Sequence, residues 1–430
     1  MKQPITFAVC GFGIRGMEAY SSYQKRHPEQ MRITAVADPD PERRQIAQTE
    51  YNVPAEHCYT SAEELLAQPR MADVMIIATQ DRQHIQQALP AMEKGYHLLL
   101  EKPISPSLQE CVALREKAHE TNRIVIVCHV LRYTQFYGMV KSLLEQGIIG
   151  RIESLEAAEN VAYWHYAHSY VRGNWRRSEL ACPMIMAKSC HDMDIIRWLV
   201  GTRCQRVSSY GSLDWFKAEN APQGAAKRCL DGCKAKENCP YDAEKIYFFN
   251  DKSGYVSGNR EWPLTVLCAH PTPEKLYSAL REGPYGRCVY GCDNDVVDHQ
   301  IVNMEFEGGV TASFTMSAFT SRCYRTLRIM GTMGELEGSL DTNSLVLRRF
   351  GCADELIELD KITDRFAGHG GGDEKMMEYV CSLFRDGEPQ GEALTSVDAS
   401  VESHIMALAA EESRLHNGQS IDLEEFSKRK

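Results

Sequence analysis

No stretch of this 430-residue sequence approaches the ~20 consecutive apolar residues of a membrane-spanning helix. The sequence also lacks a basic surplus, because 48 Lys and Arg face 59 Asp and Glu and the formal net charge is -11. Nucleic acid and anionic membranes, which attract basic surfaces, are therefore not expected as partners. The opening "ITFAVC" runs directly into glycines, so we interpret it as a strand and not a signal peptide. These absences predict a cytoplasmic protein.

Internal repeats and low-complexity tracts are absent too, and 43% of the residues are hydrophobic, which is typical of a globular protein. A chain of this length exceeds one ordinary core and predicts two domains. We place the first over residues 1–130 and the second over 131–430, with a cysteine-rich insertion at about 215–295. Most of the 16 cysteines lie singly in apolar stretches, so we expect reduced thiols.

A glycine-rich turn links the first predicted strand to a helix-like run. Its G-x-G-x-x-G pattern fits a dinucleotide site, where glycines allow a tight turn and let a pyrophosphate approach backbone N–H groups. The residues of the turn are Gly11, Phe12, Gly13, Ile14, Arg15 and Gly16.

A second predicted strand, "RITAVADPD", brings an acidic residue, Asp38, about 20 residues after the glycine turn. A carboxylate at that place binds the ribose hydroxyls of NAD and repels the extra phosphate of NADP. The sequence therefore predicts NAD as the cofactor, with NADP less favoured. The alternative is that Asp38 is only a turn residue of Asp-Pro-Asp-Pro.

Strands and helices then alternate to about residue 130, which predicts a doubly wound parallel sheet of the Rossmann type. Ligands of such sheets bind beyond the carboxyl ends of the strands. Polar residues stand at or just past several of these ends: Thr79, Gln80, Glu101, Lys102, His129 and Arg132.

Lys102 lies between the strand "HLLLE" and Pro103. The residue before a proline is pushed into extended conformations, so Lys102 is held at the strand edge. A lysine desolvated there, beside the dinucleotide, exchanges protons more readily near neutral pH. The alternative is a surface lysine paired with Glu101.

Three motifs resemble the Gfo/Idh/MocA family of oxidoreductases: the turn at 11–16, "TQDRQH" from Thr79 to His84, and "EKP" at 101–103. The resemblance is close over residues 5–150 and looser beyond them. It implies that the motifs bind the cofactor, and that Lys102 contacts the nicotinamide ribose and takes part in proton transfer. It also implies a second domain with an open, largely antiparallel sheet, through which the family forms dimers and tetramers.

From Arg151 onward the sequence alternates like strands, and "HQIVNMEFEGGVTASFTMSAF" predicts a hairpin that turns at Gly308 and Gly309. "DEKMMEYVCSLFRDG" and "ASVESHIMALAAEESRLHNG" predict amphipathic helices. We expect an α/β protein, in which an α+β domain with a large, mostly antiparallel open sheet follows the doubly wound parallel sheet.

"MAKSCHDMDIIRWLVG" predicts a helix on which Lys188, His191 and Asp192 share one face. His191 is a natural proton acceptor near pH 7. The family usually has an aspartate four residues before this histidine, and here that position is Ala187. We therefore expect Lys188 or Asp192 to tune His191. The alternative is a helix with one polar face toward solvent.

Aromatic rings alternate with polar donors in "NVAYWHYAHSYVRGNWRRS", as suits a sugar whose ring faces stack and whose hydroxyls accept hydrogen bonds. A packing loop or a subunit contact is nearly as well supported. "GHGGGD" either lines the interdomain cleft with His369 or is a linker that ends in Asp373 as a helix N-cap. The predicted substrate residues are Arg132, His165, Tyr170, Arg172, Trp175, Arg176, Asp192 and His369. Arg172, Arg176 and Arg177 favour a carboxylated substrate.

The predicted insertion contains few aliphatic residues, so we expect it to bury little apolar surface and to need a cross-link. Zinc bound by four Cys or His ligands would supply one. The candidate ligands are Cys229, Cys233 and Cys239 with either Cys288 or Cys292, and His299 is a weaker fourth ligand. Packed free cysteines, a disulfide or an iron–sulfur cluster are the alternatives.

Together these features predict an NAD-dependent oxidoreductase acting on a secondary hydroxyl of a sugar, sugar acid or polyol. Either Lys102 or His191 takes the hydroxyl proton. One alternative is a redox-neutral enzyme that oxidises a glycoside transiently and cleaves or isomerises it. A second is a non-enzymatic sensor of NAD or sugar. We expect a homodimer or homotetramer.

Overall fold

The computed structural model describes residues 3–359, 371–385 and 394–429. Six parallel strands form the first sheet in the order β3-β2-β1-β4-β5-β6, which confirms the predicted doubly wound arrangement. Their bounds are β1 Ile5–Cys10, β2 Met31–Ala37, β3 Cys58–Tyr59, β4 Val74–Ile77, β5 His97–Leu100 and β6 Val125–Val127.

Helices cover both faces of this sheet, and its central strands are almost completely buried. Local sequence sets the ends of the helices: the Asp40 side chain caps α2 by accepting the Glu42 N–H, and Asn52 ends that helix at φ +56°. The helices are α1 Tyr23–Arg26, α2 Pro41–Tyr51, α3 Ala62–Ala67, α4 His84–Glu93 and α5 Leu108–Thr121, preceded by a wider helical segment at Ile14–Ser21.

A second sheet of nine strands has the order β14-β13-β12-β11-β7-β10-β9-β8-β15. All its neighbours are antiparallel except β7 and β10, as the predicted mostly antiparallel sheet requires. The predicted hairpin joins β9 to β10 at Gly308 and Gly309, whose φ angles are +86° and +84°. The strands are β7 Ile152–Ala162, β8 Cys204–Ser212, β9 His299–Phe306, β10 Thr311–Thr320, β11 Tyr324–Gly331, β12 Gly334–Ser339, β13 Ser344–Arg349, β14 Glu355–Glu358 and β15 Ile421–Asp422.

The remaining helices are α6 Gln135–Glu145, α7 Tyr163–Tyr166, α8 Met184–Ala187, α9 Cys190–Val200, α10 Leu264–Leu267, α11 Pro273–Glu282, α12 Gly372–Arg385, α13 Val397–Leu415 and α14 Leu423–Ser427. Late in the chain, α12 returns to the first sheet and buries Met376, Met377 and Val380 in its core. A boundary at residue 130 therefore separates the sheets but not every helix that packs on them. Among the described helices, none is long and apolar enough to cross a bilayer.

Residues 213–298, here called the insert segment, contain short helices and no strand between β8 and β9. This segment buries more apolar surface than we expected. Phe216, Tyr247, Leu264 and Leu280 are each at most 2% exposed. The expectation was wrong because it counted aliphatic residues, whereas aromatic rings supply much of the buried area.

The two sheets are joined by a buried ion pair between Arg132, just after β6, and Asp194 on α9. The guanidinium donates to both carboxylate oxygens, at 2.7 and 2.6 Å, and its third nitrogen donates to the Leu394 carbonyl at 2.7 Å. Both side chains are at most 3% exposed. Arg132, a predicted substrate residue, thus has its donors engaged by protein groups at the seam between the domains.

Replacing Asp194 with Asn should lower the free energy of unfolding by about 3–5 kcal/mol, because the Arg132 charge stays buried without its counter-charge. Urea denaturation followed by circular dichroism measures the change. The matched control is Glu424→Gln on α14, which breaks an exposed pair with Lys428 and should leave stability unchanged. Equal stability of the two variants would contradict a structural role for the buried pair.

Candidate functional site

At the first and last positions of the turn after β1, no residue larger than glycine fits. Gly11 has a φ of +85°, and a Cβ there would lie 2.5 Å from the Ala78 carbonyl oxygen. A Cβ on Gly16 would lie 2.0 Å from the Gly11 carbonyl oxygen. Phe12 is buried in the core, while Ile14 opens the helical segment whose first N–H groups have no intrahelical partner. This cradle fits a pyrophosphate.

The Asp38 carboxylate lies beside the glycine turn and is 2% exposed. It accepts the backbone N–H of Phe12 at 2.7 Å and that of Asp40 at 2.9 Å, and Arg43 approaches it at 3.4 Å. The turn and the acidic residue thus form one unit, as a dinucleotide site requires. Sequence reasoning missed Arg43. Its position on the first turn of α2, a few residues after β2 and Asp38, is the signal that would have found it.

Glu101, at the end of β5, is held by the glycine turn. Arg15 donates to it at 2.6 Å, and Tyr20 donates to the same oxygen. Arg15 also contacts Asp373 of α12 at 2.6 Å. Burial opposes the charged form of Glu101, but Arg15 and Lys102 nevertheless hold its pKa below the usual value. Arg15 therefore fastens Glu101 and α12 to the cofactor turn.

The ammonium of Lys102 points across the seam and donates to the Ala187 carbonyl at 2.9 Å. This differs from the alternative of a surface lysine paired with Glu101, whose carboxylate is turned to Arg15 and Tyr20. Ala187 ends α8, four residues before His191, which is 3% exposed. Lys102 and the segment that carries His191 are therefore brought together, as a shared catalytic site requires.

Two further buried histidines accompany His191. The His129 ring lies 5.8 Å from that of His191 and 5.4 Å from that of His404. Burial lowers the pKa of His129 to about 4 and that of His404 to about 3, so both rings are neutral at pH 7. His404 accepts the Ile104 N–H at 2.9 Å and was not predicted from the sequence.

The "TQDRQH" motif mainly supports the turn after β5. His84 is buried, with its two ring nitrogens 2.8 Å from the Pro103 carbonyl oxygen and 3.2 Å from that of Thr79. The Thr79 hydroxyl donates to Gln87 at 2.8 Å. Gln80 lies at the start of the following helical turn. His84 thus fixes the backbone at Pro103, the residue that follows Lys102.

The predicted continuous helix around His191 is wrong, because α8 ends at Ala187 and α9 begins at Cys190. Lys188 lies in the break and approaches Glu159 at 3.3 Å. Asp192 pairs with Arg325 at 2.7 Å, and Arg325 also contacts Glu159 at 2.5 Å. Burial, opposed by Arg325, raises the pKa of Asp192 to about 6. This four-residue charge cluster engages both residues that we expected to tune His191.

Residues 160–178 carry a group of aromatic rings, here called the aromatic wall, near the carboxyl end of β4. Trp175 donates from its indole nitrogen to Asp81 at 3.2 Å, and its ring lies 6.4 Å from that of Tyr170. His165 lies 6.2 Å from Tyr170 and packs at 4.8 Å against Trp262 of the insert segment. These predicted substrate residues therefore share one surface, next to the first sheet.

The remaining predicted substrate residues lie elsewhere. Arg176 pairs with Asp293 at 2.8 Å in a partly exposed position. Arg172 is fully buried and contacts Cys229 and the Tyr241 carbonyl. His369 falls outside the described residues.

Four of the five candidate cysteines, together with Arg172, line one cavity: Cys229, Cys233, Cys239 and Cys288. Over residues 3–359, 371–385 and 394–429, no group of three or more His, Cys, Asp or Glu side chains is already arranged to hold a metal ion.

The chain is similar to several known proteins. The Bacillus subtilis protein YteT is 22% identical over 388 residues, which cover 86% of each protein. A Bacteroides fragilis glycosyl hydrolase family 109 protein is 29% identical over 301 residues, which cover 61% of each, less than two thirds. A solved levoglucosan dehydrogenase in complex with NADH and levoglucosan has a TM-score of 0.71 at 17% identity, covering 98% of this chain and 100% of that one.

Two family models match along the chain. The oxidoreductase family's NAD-binding Rossmann fold matches residues 5–129, and its C-terminal alpha/beta domain matches residues 141–400. The second match alone spans more than half of the chain, and both agree with the two sheets described above. The chain therefore belongs to the Gfo/Idh/MocA family of oxidoreductases, whose N-terminal domain has an NAD-binding Rossmann fold.

Proposed function

We propose that the protein is an NAD-dependent oxidoreductase that acts on a secondary hydroxyl of a sugar, sugar acid or polyol. The observation that carries the proposal is the contact of Lys102 with the Ala187 carbonyl at 2.9 Å. This contact joins the end of β5, on the cofactor side, to the segment that carries His191. A proton-accepting group therefore stands where the two domains meet, beyond the carboxyl ends of the parallel strands.

Bound NAD⁺ supplies the hydride acceptor for such an oxidation. The chain supplies orientation and a route for the hydroxyl proton. Lys102 or His191 takes that proton from the substrate oxygen, while Trp175 and Tyr170 cover the site from one side and exclude water. Neutral His129 and His404 behind them add no positive charge that would oppose a protonated Lys102.

Lys102→Met should abolish turnover while NAD binding changes by less than about tenfold, or ~1.4 kcal/mol, because the turn at 11–16 and Asp38 are untouched. Steady-state assays over a panel of sugars and polyols measure the first effect, and a fluorescence titration with NADH measures the second. Lys94→Met, on the exposed end of α4, is the matched control and should leave both unchanged.

His191→Gln identifies which residue is the base. If Lys102 is the base, the His191 variant keeps measurable turnover and the pH–rate profile of the wild type. If His191 is the base, the variant loses turnover. Substantial turnover in Lys102→Met would overturn the assignment of Lys102.

Asp38 should make the protein prefer NAD over NADP. Asp38→Asn keeps an oxygen that accepts the Phe12 N–H but removes the charge that repels a 2′-phosphate, and it frees Arg43 to bind that phosphate. The ratio of the two dissociation constants should shift toward NADP by at least about tenfold, as titration of both cofactors would measure. Glu42→Gln removes an equal charge from α2 without touching Asp38 and is the control. A wild-type preference for NADP would contradict this interpretation of Asp38.

A redox-neutral reaction is the second candidate, and the likeness to a glycosyl hydrolase family 109 protein favours it. In such a reaction the cofactor returns to its starting state at the end of each turnover. A non-enzymatic sensor would not need Lys102 and His191 at one seam. It would be supported only by tight NAD binding without turnover of any substrate.

With one equivalent of NAD⁺ and a saturating sugar or glycoside, a dehydrogenase should release product and NADH in equal amounts. Absorbance of NADH and chromatography of the product measure the two together. Product formation beyond one equivalent without net NADH would contradict the dehydrogenase and support the redox-neutral reaction. The Lys102→Met variant serves as the blank for both signals.

A further inference from the structure

The two cysteine-bearing stretches of the insert segment meet through their backbones. The Cys229 N–H donates to the Gly286 carbonyl at 3.0 Å, and the Cys288 N–H donates to the Lys227 carbonyl at 2.9 Å. This short antiparallel pairing sets Cys229 beside Cys288. Cys233 and Cys239 complete the lining of the same cavity. The cavity measures about 20 Å³, which is room for a single ion or water.

A buried cation borders this cavity. Arg172 is 0% exposed and donates to the carbonyls of Arg287 and Tyr241, both at 2.8 Å. One guanidinium nitrogen lies 3.6 Å from the Cys229 sulfur, and another is buried without a hydrogen-bond partner. No carboxylate in the described part of the chain forms an ion pair with Arg172. A buried charge without a counter-charge is costly, so the site calls for negative charge on the cavity side.

We propose that Cys229, Cys233, Cys239 and Cys288 bind one structural Zn²⁺ and that Arg172 neutralises part of the negative charge of these thiolates. Zinc prefers four tetrahedral ligands, and thiolate sulfurs suit it. Four thiolates around Zn²⁺ carry a net charge of −2, which the neighbouring guanidinium offsets. The thiol protons leave to solvent on binding, so no oxidant or reductant is needed.

The structure distinguishes among the remaining candidate ligands. The Cys292 thiol donates to the Cys288 carbonyl at 3.3 Å, and Cys292 does not line the cavity. His299 lies on β9, where its ring contacts Asp298 at 2.8 Å. The four thiols do not yet converge as ligands, so binding requires them to turn inward about their side-chain bonds. A cavity for one ion favours zinc over an iron–sulfur cluster, which is larger.

The insert segment supports the aromatic wall of the candidate site, so its order matters there. His168 hydrogen-bonds Tyr247 at 2.9 Å and stacks on Tyr285 at 4.7 Å. Tyr166 donates to the Val297 carbonyl at 2.8 Å. By ordering the insert segment, zinc would therefore keep His165 and Tyr170 of the aromatic wall in place. Both residues are distant in sequence from the cofactor turn.

Metal analysis of the full-length protein tests the proposal. The protein is purified under reducing conditions without a metal-affinity column, and zinc, iron and acid-labile sulfide are measured. We expect about one zinc per chain. A zinc content below about 0.2 per chain in folded protein, or iron with sulfide, would overturn the zinc site. Thiol titration in denaturant should find all 16 cysteines reduced, whereas a deficit of two thiols would indicate a disulfide instead.

Variants test the ligand set and the role of Arg172. Cys233→Ser should lose zinc, whereas Cys292→Ser should retain it. Arg172→Met should weaken zinc binding by about 10- to 100-fold in competition with a chelator, as other groups that contact metal ligands do. Cobalt added to the zinc-free wild type should give the absorption bands of a tetrahedral thiolate site. Zinc retained in Cys233→Ser and lost in Cys292→Ser would overturn the assignment of the four ligands.

Discussion

The candidate site depends on how the chain is fixed where β5 ends. Glu101 is held by Arg15, the Pro103 carbonyl by His84 and the Ile104 N–H by His404. These partners come from three separate elements: the glycine turn, α4 and α13. The side chain of Lys102 then reaches across to the Ala187 carbonyl of the second domain. Because folding has already ordered its backbone, little conformational freedom is left to lose when a substrate arrives.

The seam between the two domains is lined by buried side chains. Arg132, Asp194 and the neutral rings of His129 and His404 are all almost completely buried there. In a medium of low polarity a charge on a lysine interacts more strongly with its surroundings than it would in water. The same burial that makes the ion pair costly to break therefore also keeps the neighbouring histidines neutral.

Local rules predicted the parts of this protein that local sequence determines. The glycine turn, the hairpin at Gly308 and the lysine before Pro103 each follow from short motifs. Contacts between distant residues could not be predicted, and Arg15 with Asp373 is the clearest example, because 358 positions separate them. The helix prediction over Lys188 failed since propensity does not show a break at Ser189. Arg172 was assigned to the substrate because an arginine among aromatic residues has the same pattern whether it faces a ligand or a buried cavity.

One short segment connects the aromatic wall to the cysteine-rich insert segment of the second domain. Residues 163–172 carry Tyr170 on the side that faces Trp175 and the first sheet, and His168 and Arg172 on the side that faces the insert segment. A rotation of this segment would move both sets together, because its rings are packed on each side. The shape of the wall over the proposed substrate is therefore set by contacts with the cysteine-rich insert segment.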